Sequence, residues 1–483
     1  MSAPAISEPT TTLKRDRSPP KSPVAPAIPP QPRVSALDRR KARWFALLFC
    51  SICFEGLGRK YLSVIPGEVF YFLKDVVLIY GFIAFPMDPR VKKVLSFMYR
   101  PFGAALGLAI VVSLLQVLNT GERGSFLLGI LGLRAYWLWW LAVPVVANVL
   151  LSPWVRRRAI FVLAFVSGVV AVYAVIQFGA PSTSATNTYA IHAGVEVAAF
   201  EVGSTGRARV SSTFSFISGF TDFVVLIPAL LLSVGLGESD RRIRLIATTT
   251  ALLSASSLPM SGSRAPFVVG LLLLAMIARE AGFLFTRIGR RVMLVGILAI
   301  FSVIYIFPDS LRGVRDRFDG EDTDSRFMAI YTILPPVALA VLDYPPLGLG
   351  TGMQQNFRGL FGVDLGEYES EGEIGRYLIE LGVPGYLFYW GARVGLMVAL
   401  LRAAKLFKRA NRRAAAGAAT AYAIVVFYGS LTFDHVWQGL FFTGTGFILR
   451  ELVSIWPILY PNRVIASVPA APATIAATAK ASP

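Results

Sequence analysis

The sequence is poor in charged residues and nearly lacks cysteine and histidine. Charged side chains make up 16% of its 483 residues, whereas soluble globular proteins carry about a quarter. The two cysteines, Cys50 and Cys53, lie in one apolar segment, and there is no second pair to complete a zinc site. We interpret them as small apolar side chains of a helix, with a redox CxxC motif as the alternative. We therefore expect no metal, no disulfide framework and no cofactor.

In place of charge, the sequence has long apolar runs, and 55% of its residues are hydrophobic. Runs of about 17–25 residues recur between Trp44 and Tyr460, each long enough to cross a hydrocarbon core of ~30 Å. A transmembrane β-barrel would instead alternate apolar and polar residues in segments of about ten, and this pattern is absent. The sequence predicts an all-α, polytopic transmembrane helical bundle with short helices in its large loops.

The apolar runs predict about twelve spans, within a range of roughly 10–14. The span from 130 contains Arg134 and several aromatic residues, so its start is poorly defined, and the last two spans form a re-entrant pair in an alternative arrangement. The predicted spans are 44–58, 67–86, 99–118, 130–152, 159–180, 213–236, 245–260, 265–281, 292–308, 378–402, 416–436 and 438–459.

The formal net charge is +18, which by itself would be compatible with nucleic-acid binding. The basic clusters, however, fall between apolar runs and recur after every second one, which is the positive-inside pattern of membrane proteins. The excess of basic residues therefore indicates the membrane topology, with both termini cytoplasmic. We expect no nucleic-acid partner. Two long segments, 181–212 and 309–377, come to lie on the outer side, and long loops on one side of a bundle are usually functional.

Both ends of the chain differ in composition from the middle. Residues 1–43 are rich in proline and in basic residues, and residues 464–483 consist mainly of small residues and proline. Such segments bury too little apolar surface to fold. We expect a disordered cytoplasmic tail over 1–43, a membrane domain over 44–460 and a disordered tail over 461–483.

Several arginines lie in the outer loops, where the positive-inside rule disfavours basic residues, so their presence there requires an explanation. Ser211, Ser215 and Asp222 follow Arg209 at helical spacing, and Arg264 ends a polar stripe in 261-SGSRAP-266. Polar stripes within a membrane generally face a cavity or partner helices. A guanidinium group binds two phosphate oxygens at once and stays charged, so a cavity with two arginines suits a diphosphate. The alternative is that the loop arginines pair with loop aspartates in solvent. Arg207 and Arg326 are further candidates for the diphosphate site.

The acidic stretch 366-GEYESEGEIGRYLIELGVPG-385 contributes carboxylates on the same side. A helix that begins near Glu373 places Glu373, Arg376, Tyr377 and Glu380 on one face. Glu371 or Glu373 could take a proton from a sugar hydroxyl as a general base. The alternative is a structural role in which Arg376 pairs with both Glu373 and Glu380.

His435 follows Asp434 between the last two predicted spans. The pair is either a polar turn or a supporting element at the cavity edge. Asp222, Tyr377, Glu380 and His435 are therefore our candidates for supporting residues.

Five stretches, in order, resemble the O-antigen ligase/polymerase superfamily of bacterial envelope glycosyltransferases. They are 55-EGLGRKYLSVIPGEVFYFLKD-75, 209-RVSSTFSFISGFTDF-223, 261-SGSRAP-266, 326-RFMAIYTILPPVALAVLDYPPLGLGTG-352 and 377-YLIELGVPGYL-387. The resemblance covers roughly residues 44–460. It implies a multi-pass enzyme of the bacterial inner membrane whose active side is periplasmic. Such an enzyme takes a glycan from an undecaprenyl-diphosphate donor, needs no nucleotide, and holds the diphosphate through arginines while an acceptor hydroxyl attacks the anomeric carbon.

One departure from the family pattern affects the choice of function. Ligases of this group commonly have a His-Asn pair before the YL motif, whereas Ile374 and Gly375 occupy these positions here. This favours a polymerase of lipid-linked repeat units of an exopolysaccharide or O-antigen over a ligase. A transporter or flippase of lipid-linked glycans and a non-catalytic scaffold are the alternatives from other classes. The implied partners are the lipid-linked donor and acceptor, membrane lipid, and a chain-length regulator or flippase.

Overall fold

The structure is a computed structural model, and it describes the greater part of the chain between residues 34 and 461. The described residues are 34–62, 64–123, 125–192, 195–197, 200–201, 205–283, 287–310, 312, 315, 345–355, 358–363, 373–432 and 434–461. The tail predictions for 1–33 and 462–483 lie outside them. The first helix begins at Ala36, earlier than Trp44, where the sequence predicted the membrane domain to begin.

The described residues are mostly α-helical, apart from the short strands Tyr189–His192 and Val195–Val197, which agrees with the predicted helical bundle. Helices suit a chain in lipid because they satisfy their backbone polar groups internally. The helices are α1 Ala36–Cys53, α2 Glu55–Tyr61, α3 Gly67–Ala84, α4 Pro89–Tyr99, α5 Gly103–Arg123, α6 Phe126–Trp137, α7 Ala142–Val149, α8 Pro153–Gly179, α9 Ile217–Gly237, α10 Arg241–Ala255, α11 Arg264–Glu280, α12 Arg287–Ile306, α13 Glu373–Arg409, α14 Arg413–Tyr428 and α15 His435–Leu459.

Fewer helices than predicted are long and apolar enough to cross a membrane. Among the described residues five qualify, and a sixth does so if α3 and α4, which are bent by 117°, count as one span. The prediction of about twelve spans is therefore not confirmed. Several predicted spans correspond to shorter helices, such as the 15-residue α10 and the 16-residue α14. The five are Gly103–Glu122, Phe126–Val149, Pro153–Gly179, Ile217–Gly237 and Gly375–Arg409.

Two contacts between helix termini mark the opposite ends of the helical bundle. At the first, Thr213 Oγ1, just before α9, donates to the Cys53 carbonyl at the end of α1 (2.5 Å). At the second, Ser233 Oγ near the end of α9 donates to the Ala414 carbonyl at the start of α14 (2.9 Å). We call these the α9-start end and the α9-stop end. The 21 residues of α9 separate them by about 30 Å, the thickness of a hydrocarbon core.

Helix α13 reverses direction at Gly382, whose φ of 66° belongs to the left-handed region that favours glycine. An unbroken helix would separate residues 373 and 393 by about 30 Å. Instead Arg393 Nη1 lies 2.7 Å from Glu373 Oε2, and the rings of Tyr377 and Tyr389 are 4.6 Å apart. Residues 373–381 and 383–409 therefore form two arms that fold back on each other.

Candidate active site

The short helix α2 packs on the loop 211–215, which we call the serine loop, at the α9-start end. The Leu57 amide donates to the Thr213 carbonyl (3.1 Å). Gly56 permits this approach, because a Cβ there would overlap the backbone of Phe214 and Ser215. The first two stretches that carry the family resemblance are thus in direct contact.

Two basic side chains of α2 reach the serine loop. Lys60 Nζ donates to Ser211 Oγ (2.8 Å), and Arg59 Nη1 donates to Ser215 Oγ (3.2 Å). Burial lowers the pKa of the Lys60 ammonium to about 8. Lys60 lies outside the helices that are long enough to span a membrane, and it is partly exposed. A partly desolvated ammonium is a favourable partner for an anionic group.

Arg209 connects the serine loop with the third stretch, residues 261–266. Its Nη2 donates to Ser263 Oγ (2.7 Å), and the Val210 amide donates to the Met260 carbonyl (3.5 Å). Ser263 immediately precedes Arg264, the first residue of α11. The structure therefore brings together the parts of the chain that carry Arg209 and Arg264, as the sequence predicted for a shared site.

Below the serine loop, α2, α3 and α6 form a buried charged cluster. Glu55 pairs with Lys74, and Arg134 Nε donates to Asp75 Oδ2 (2.6 Å). The ring of Tyr71 lies between the two cations, 4.7 Å from Lys74 Nζ and 4.9 Å from the Arg134 guanidinium carbon. Ion pairs in membrane helices are uncommon and usually mark a functional path.

His435 and Asp222 join this cluster from α15 and α9. The His435 ring lies 5.3 Å from the Tyr71 ring, and its Nδ1 is 3.2 Å from Gln438 Oε1. Asp434 caps α15 by accepting from the Val436 amide (2.9 Å), and its carboxylate interacts with the neighbouring carboxylate of Asp222. Two of the four supporting residues predicted from sequence, Asp222 and His435, thus flank the same buried cluster.

Several polar atoms of the cluster receive no hydrogen bond. Within the part of the chain that the structure describes, this holds for Asp75 Oδ1, Asp222 Oδ2 and His435 Nε2. Buried polar atoms are paired in most native structures, so unpaired ones indicate a place where a ligand or water completes the site. We call Glu55, Tyr71, Lys74, Asp75, Arg134, Asp222, Asp434 and His435 the open cluster.

Glu373 belongs to a separate network, which we call the closed cluster. Its Oε2 accepts from Arg393 Nη1, and its Oε1 accepts from the Leu431 amide (2.8 Å) and from the Tyr377 hydroxyl. Arg393 is 1% exposed, and its remaining donors reach the carbonyls of Val426 and Gly429. Tyr389 and Thr432 complete the network. Both oxygens of Glu373 are therefore engaged in structure, which favours a structural role over that of a general base.

Glu380 anchors the segment 345–355, which comes from the fourth stretch. Glu380 Oε1 accepts from the Gln354 amide (2.6 Å), and the Glu380 carbonyl accepts from the Gly350 amide (3.1 Å). Gly350 adopts a φ of 116°, and a Cβ there would overlap Thr120. The fourth and fifth stretches therefore pack against each other, and Glu380 holds them together.

The remaining predicted residues fall into two groups. Arg207 donates to the Gly179 carbonyl (2.9 Å) and pairs with Asp309 (3.6 Å), so its contacts fix the outer loop and not the turn at 261–263. Arg376 interacts with the Glu380 carboxylate in the first arm of α13. Arg326 and Glu371 lie outside the described residues.

Four charged residues of this candidate site were not predicted from the sequence: Arg59, Lys60, Lys74 and Arg134. A signal existed for two of them, because Lys74 and Arg134 are charged residues within apolar runs. No such signal existed for Arg59 and Lys60, because basic residues are common at helix ends. Only the contact with the serine loop distinguishes them.

An aromatic patch lies beside Arg209 at the α9-start end of the bundle. The Tyr189 ring is 5.9 Å from Phe200 and 5.3 Å from Phe216, and 51% of Phe200 is exposed. The Tyr189 hydroxyl donates to the Arg209 carbonyl (2.7 Å), and the Arg209 amide donates to the Phe200 carbonyl (2.7 Å). The patch and Arg209 are therefore held in a fixed relation.

The arrangement joins a basic rim, made of Arg59, Lys60 and Arg209, to a buried cluster with unpaired carboxylate and imidazole atoms. The rim can hold a phosphorylated group, and the cluster can accept a proton. In comparisons with known proteins, the chain matches no family model and no curated protein.

Proposed function

We propose that this protein is a membrane glycosyltransferase that polymerises undecaprenyl-diphosphate-linked oligosaccharide repeat units at the periplasmic face of the bacterial inner membrane. The product would be an exopolysaccharide or an O-antigen. The proposal rests on the resemblance in the five stretches and on the site that they form. It requires no metal or nucleotide, because a diphosphate is already a good leaving group.

One observation carries the proposal. Arg209 contacts the turn at 261–263, and Lys60 contacts the serine loop that follows Arg209. Two stretches that are far apart in sequence therefore contribute cations to one rim, and the third stretch contacts the rim through Ser263. Binding of a diphosphate would explain why these arginines occur where the positive-inside rule disfavours basic residues.

In the reaction, the acceptor hydroxyl oxygen attacks the anomeric carbon of the donor sugar. The bond from this carbon to the diphosphate oxygen breaks, and the diphosphate leaves with the electron pair. Arg209, Arg59 and Lys60 stabilise the negative charge that develops on the leaving group, which is usually the largest catalytic contribution. Because the rim is held by hydrogen bonds before substrate arrives, little reorganisation is needed.

The proton of the acceptor hydroxyl goes to a carboxylate. We assign this role to Asp222, because its Oδ2 receives no hydrogen bond within the described residues, whereas both oxygens of Glu373 are engaged. Asp434 and His435 position Asp222 and the acceptor. The glycan itself would lie along the aromatic patch, whose exposed rings suit the apolar faces of sugars.

The test compares two arginines of the segment 206-GRARV-210. Arg209→Ala is expected to reduce polymer at least about 100-fold, since removing one charge-stabilising donor typically has this effect. Arg207→Ala is the matched control and should leave most activity, because Arg207 contacts Gly179 and Asp309 instead. Polymer is measured as the chain-length distribution of extracted glycan, with membrane levels of both variants checked. A normal distribution from Arg209→Ala would contradict the proposed diphosphate site.

A deletion strain separates the proposed function from its alternatives. Lipid-linked single repeat units that accumulate on the periplasmic side would support the polymerase. Finished lipid-linked polymer would instead indicate a ligase, and repeat units retained on the cytoplasmic side would indicate a flippase.

A further inference from the structure

A cavity of ≈ 260 Å³ lies at the α9-stop end of the bundle, away from the candidate active site. It is formed where α9 ends and α14 begins, with walls from α8 and α15. The side chains of Arg156, Arg412, Arg413, Ser233 and Glu451 line it. About 30 Å of α9 separate it from the serine loop, so it belongs to a different site.

The acidic groups at this cavity are already neutralised. Arg156 pairs with Glu238 and, through its Nε, with Glu451 (3.2 Å). Arg450 Nη1 also pairs with Glu451 (2.7 Å). These four side chains together carry no net charge.

Arg412 and Arg413 therefore give the cavity its charge. Neither guanidinium makes a hydrogen bond or ion pair within the described portion of the chain, and both are exposed. Ala414 and Ala415, in the first turn of α14, line the cavity beside them, and the amides of a first turn have no partner within their own helix. Two unpaired guanidinium groups next to free amides form a site for an anion with several acceptor oxygens.

We propose that this cavity binds a phosphate group, and specifically the headgroup phosphate of an anionic phospholipid. The position of the cavity indicates that the phosphate belongs to a lipid. The cavity lies where α8 begins and α9 ends, and both helices are long and apolar enough to span a membrane. Headgroup phosphates are found at this level, and basic pockets between helix ends bind them. The site is independent of the proposed glycan chemistry.

The experiment uses the full-length protein in nanodiscs that contain equal amounts of phosphatidylglycerol and phosphatidylcholine. Native mass spectrometry of the released protein measures which lipid remains bound. The wild-type protein is expected to retain phosphatidylglycerol preferentially. Each arginine near the surface should contribute about fivefold, so R412Q/R413Q should lose most of the preference and R412K/R413K should restore part of it.

The matched control is R241Q/R242Q, which removes two exposed arginines at the same end of the bundle without touching the cavity. It should keep the preference of the wild type. The proposal is overturned if R412Q/R413Q retains full preference, or if the control loses as much as R412Q/R413Q does.

A second measurement separates the two sources of phosphate. In detergent without added lipid, thermal unfolding is followed in the presence of either phosphatidylglycerol or inorganic phosphate. Stabilisation by lipid alone, lost in R412Q/R413Q, supports the lipid site. Equal stabilisation by inorganic phosphate would overturn the lipid assignment in favour of a soluble phosphate compound, and stabilisation of R412Q/R413Q equal to that of the wild type would overturn the site.

Discussion

The open and closed clusters are two buried ionic networks of one bundle, and they differ in how completely their polar atoms are paired. In the closed cluster, Arg393 uses Nε, Nη1 and Nη2, and Glu373 accepts at both oxygens. In the open cluster, Asp75, Asp222 and His435 each keep a buried polar atom without a hydrogen bond among the described residues. Both networks are charged and buried, so charge and burial alone do not separate them.

The difference indicates which network is structural. A fully paired buried ion pair fixes the geometry of the elements that it joins, but it has no capacity left for a substrate. An incompletely paired network keeps donors and acceptors that a substrate can use, but its unpaired buried atoms lower the stability of the fold. We therefore assign the fold of the α13 arms to the closed cluster, and the chemistry that we propose to the open cluster and its basic rim.

The strongest test of this comparison is Arg393→Ala. Removal of one partner from a buried pair leaves Glu373 charged and unpaired, and this typically destabilises a protein by about 3–5 kcal/mol. We expect a large fall in the midpoint of thermal unfolding in detergent and a lower yield from membranes. Arg402→Ala is the matched control, because Arg402 is an exposed arginine of the same arm. An unchanged midpoint for Arg393→Ala would remove the structural role of the closed cluster.

A somewhat smaller effect, on activity alone, is expected for Asp222→Asn. The amide has the same shape but is a poor base, so polymer formation should fall by about 100-fold while the unfolding midpoint stays within error. Ser218→Ala, one turn earlier and exposed, serves as the control and should behave as the wild type. If Asp222→Asn lowers stability and activity together, the open cluster is structural too and the contrast between the networks fails.

The smallest expected effect concerns the pH dependence of the basic rim. Because burial lowers the pKa of Lys60 to about 8, its ammonium loses the proton as the pH increases through that value. Binding of a short-chain prenyl diphosphate should therefore weaken by about tenfold between pH 7 and 9, as one charge-assisted contact is lost. Lys60→Arg should flatten the profile, because arginine stays charged. A flat profile for the wild type would show that Lys60 does not face the diphosphate.

The sequence predicted the start of α13 and one of its side-chain contacts correctly. The helix begins at Glu373, and Tyr377 contacts Glu373 as the i, i+4 spacing required. The partner that determines the role of Glu373 is Arg393, which pairs with it only because the chain reverses at Gly382. Helical spacing relates residues within a turn or two and carries no information about such a reversal.

The number of spans was less predictable than the fold class. Hydropathy detects apolar segments, but it does not detect where a segment bends. The predicted span 378–402 contains Gly382, where α13 reverses, and α3 and α4 meet at 117°. Such breaks depend on packing against neighbouring helices, as at Asn148, whose side chain donates to the Pro86 carbonyl (3.1 Å).

The sequence by itself determined that this chain forms an apolar helical bundle, and it predicted that Arg209 and Arg264 share a site. Apolar run length decides the first, because lipid leaves a backbone few alternatives, and polar stripes at helix ends suggest the second. Only the tertiary structure decided that Lys60 joins Arg209 at the rim and that Glu373 pairs with Arg393. These contacts join residues between 20 and 151 positions apart, and hydrogen bonds over such separations depend on packing and not on local pattern.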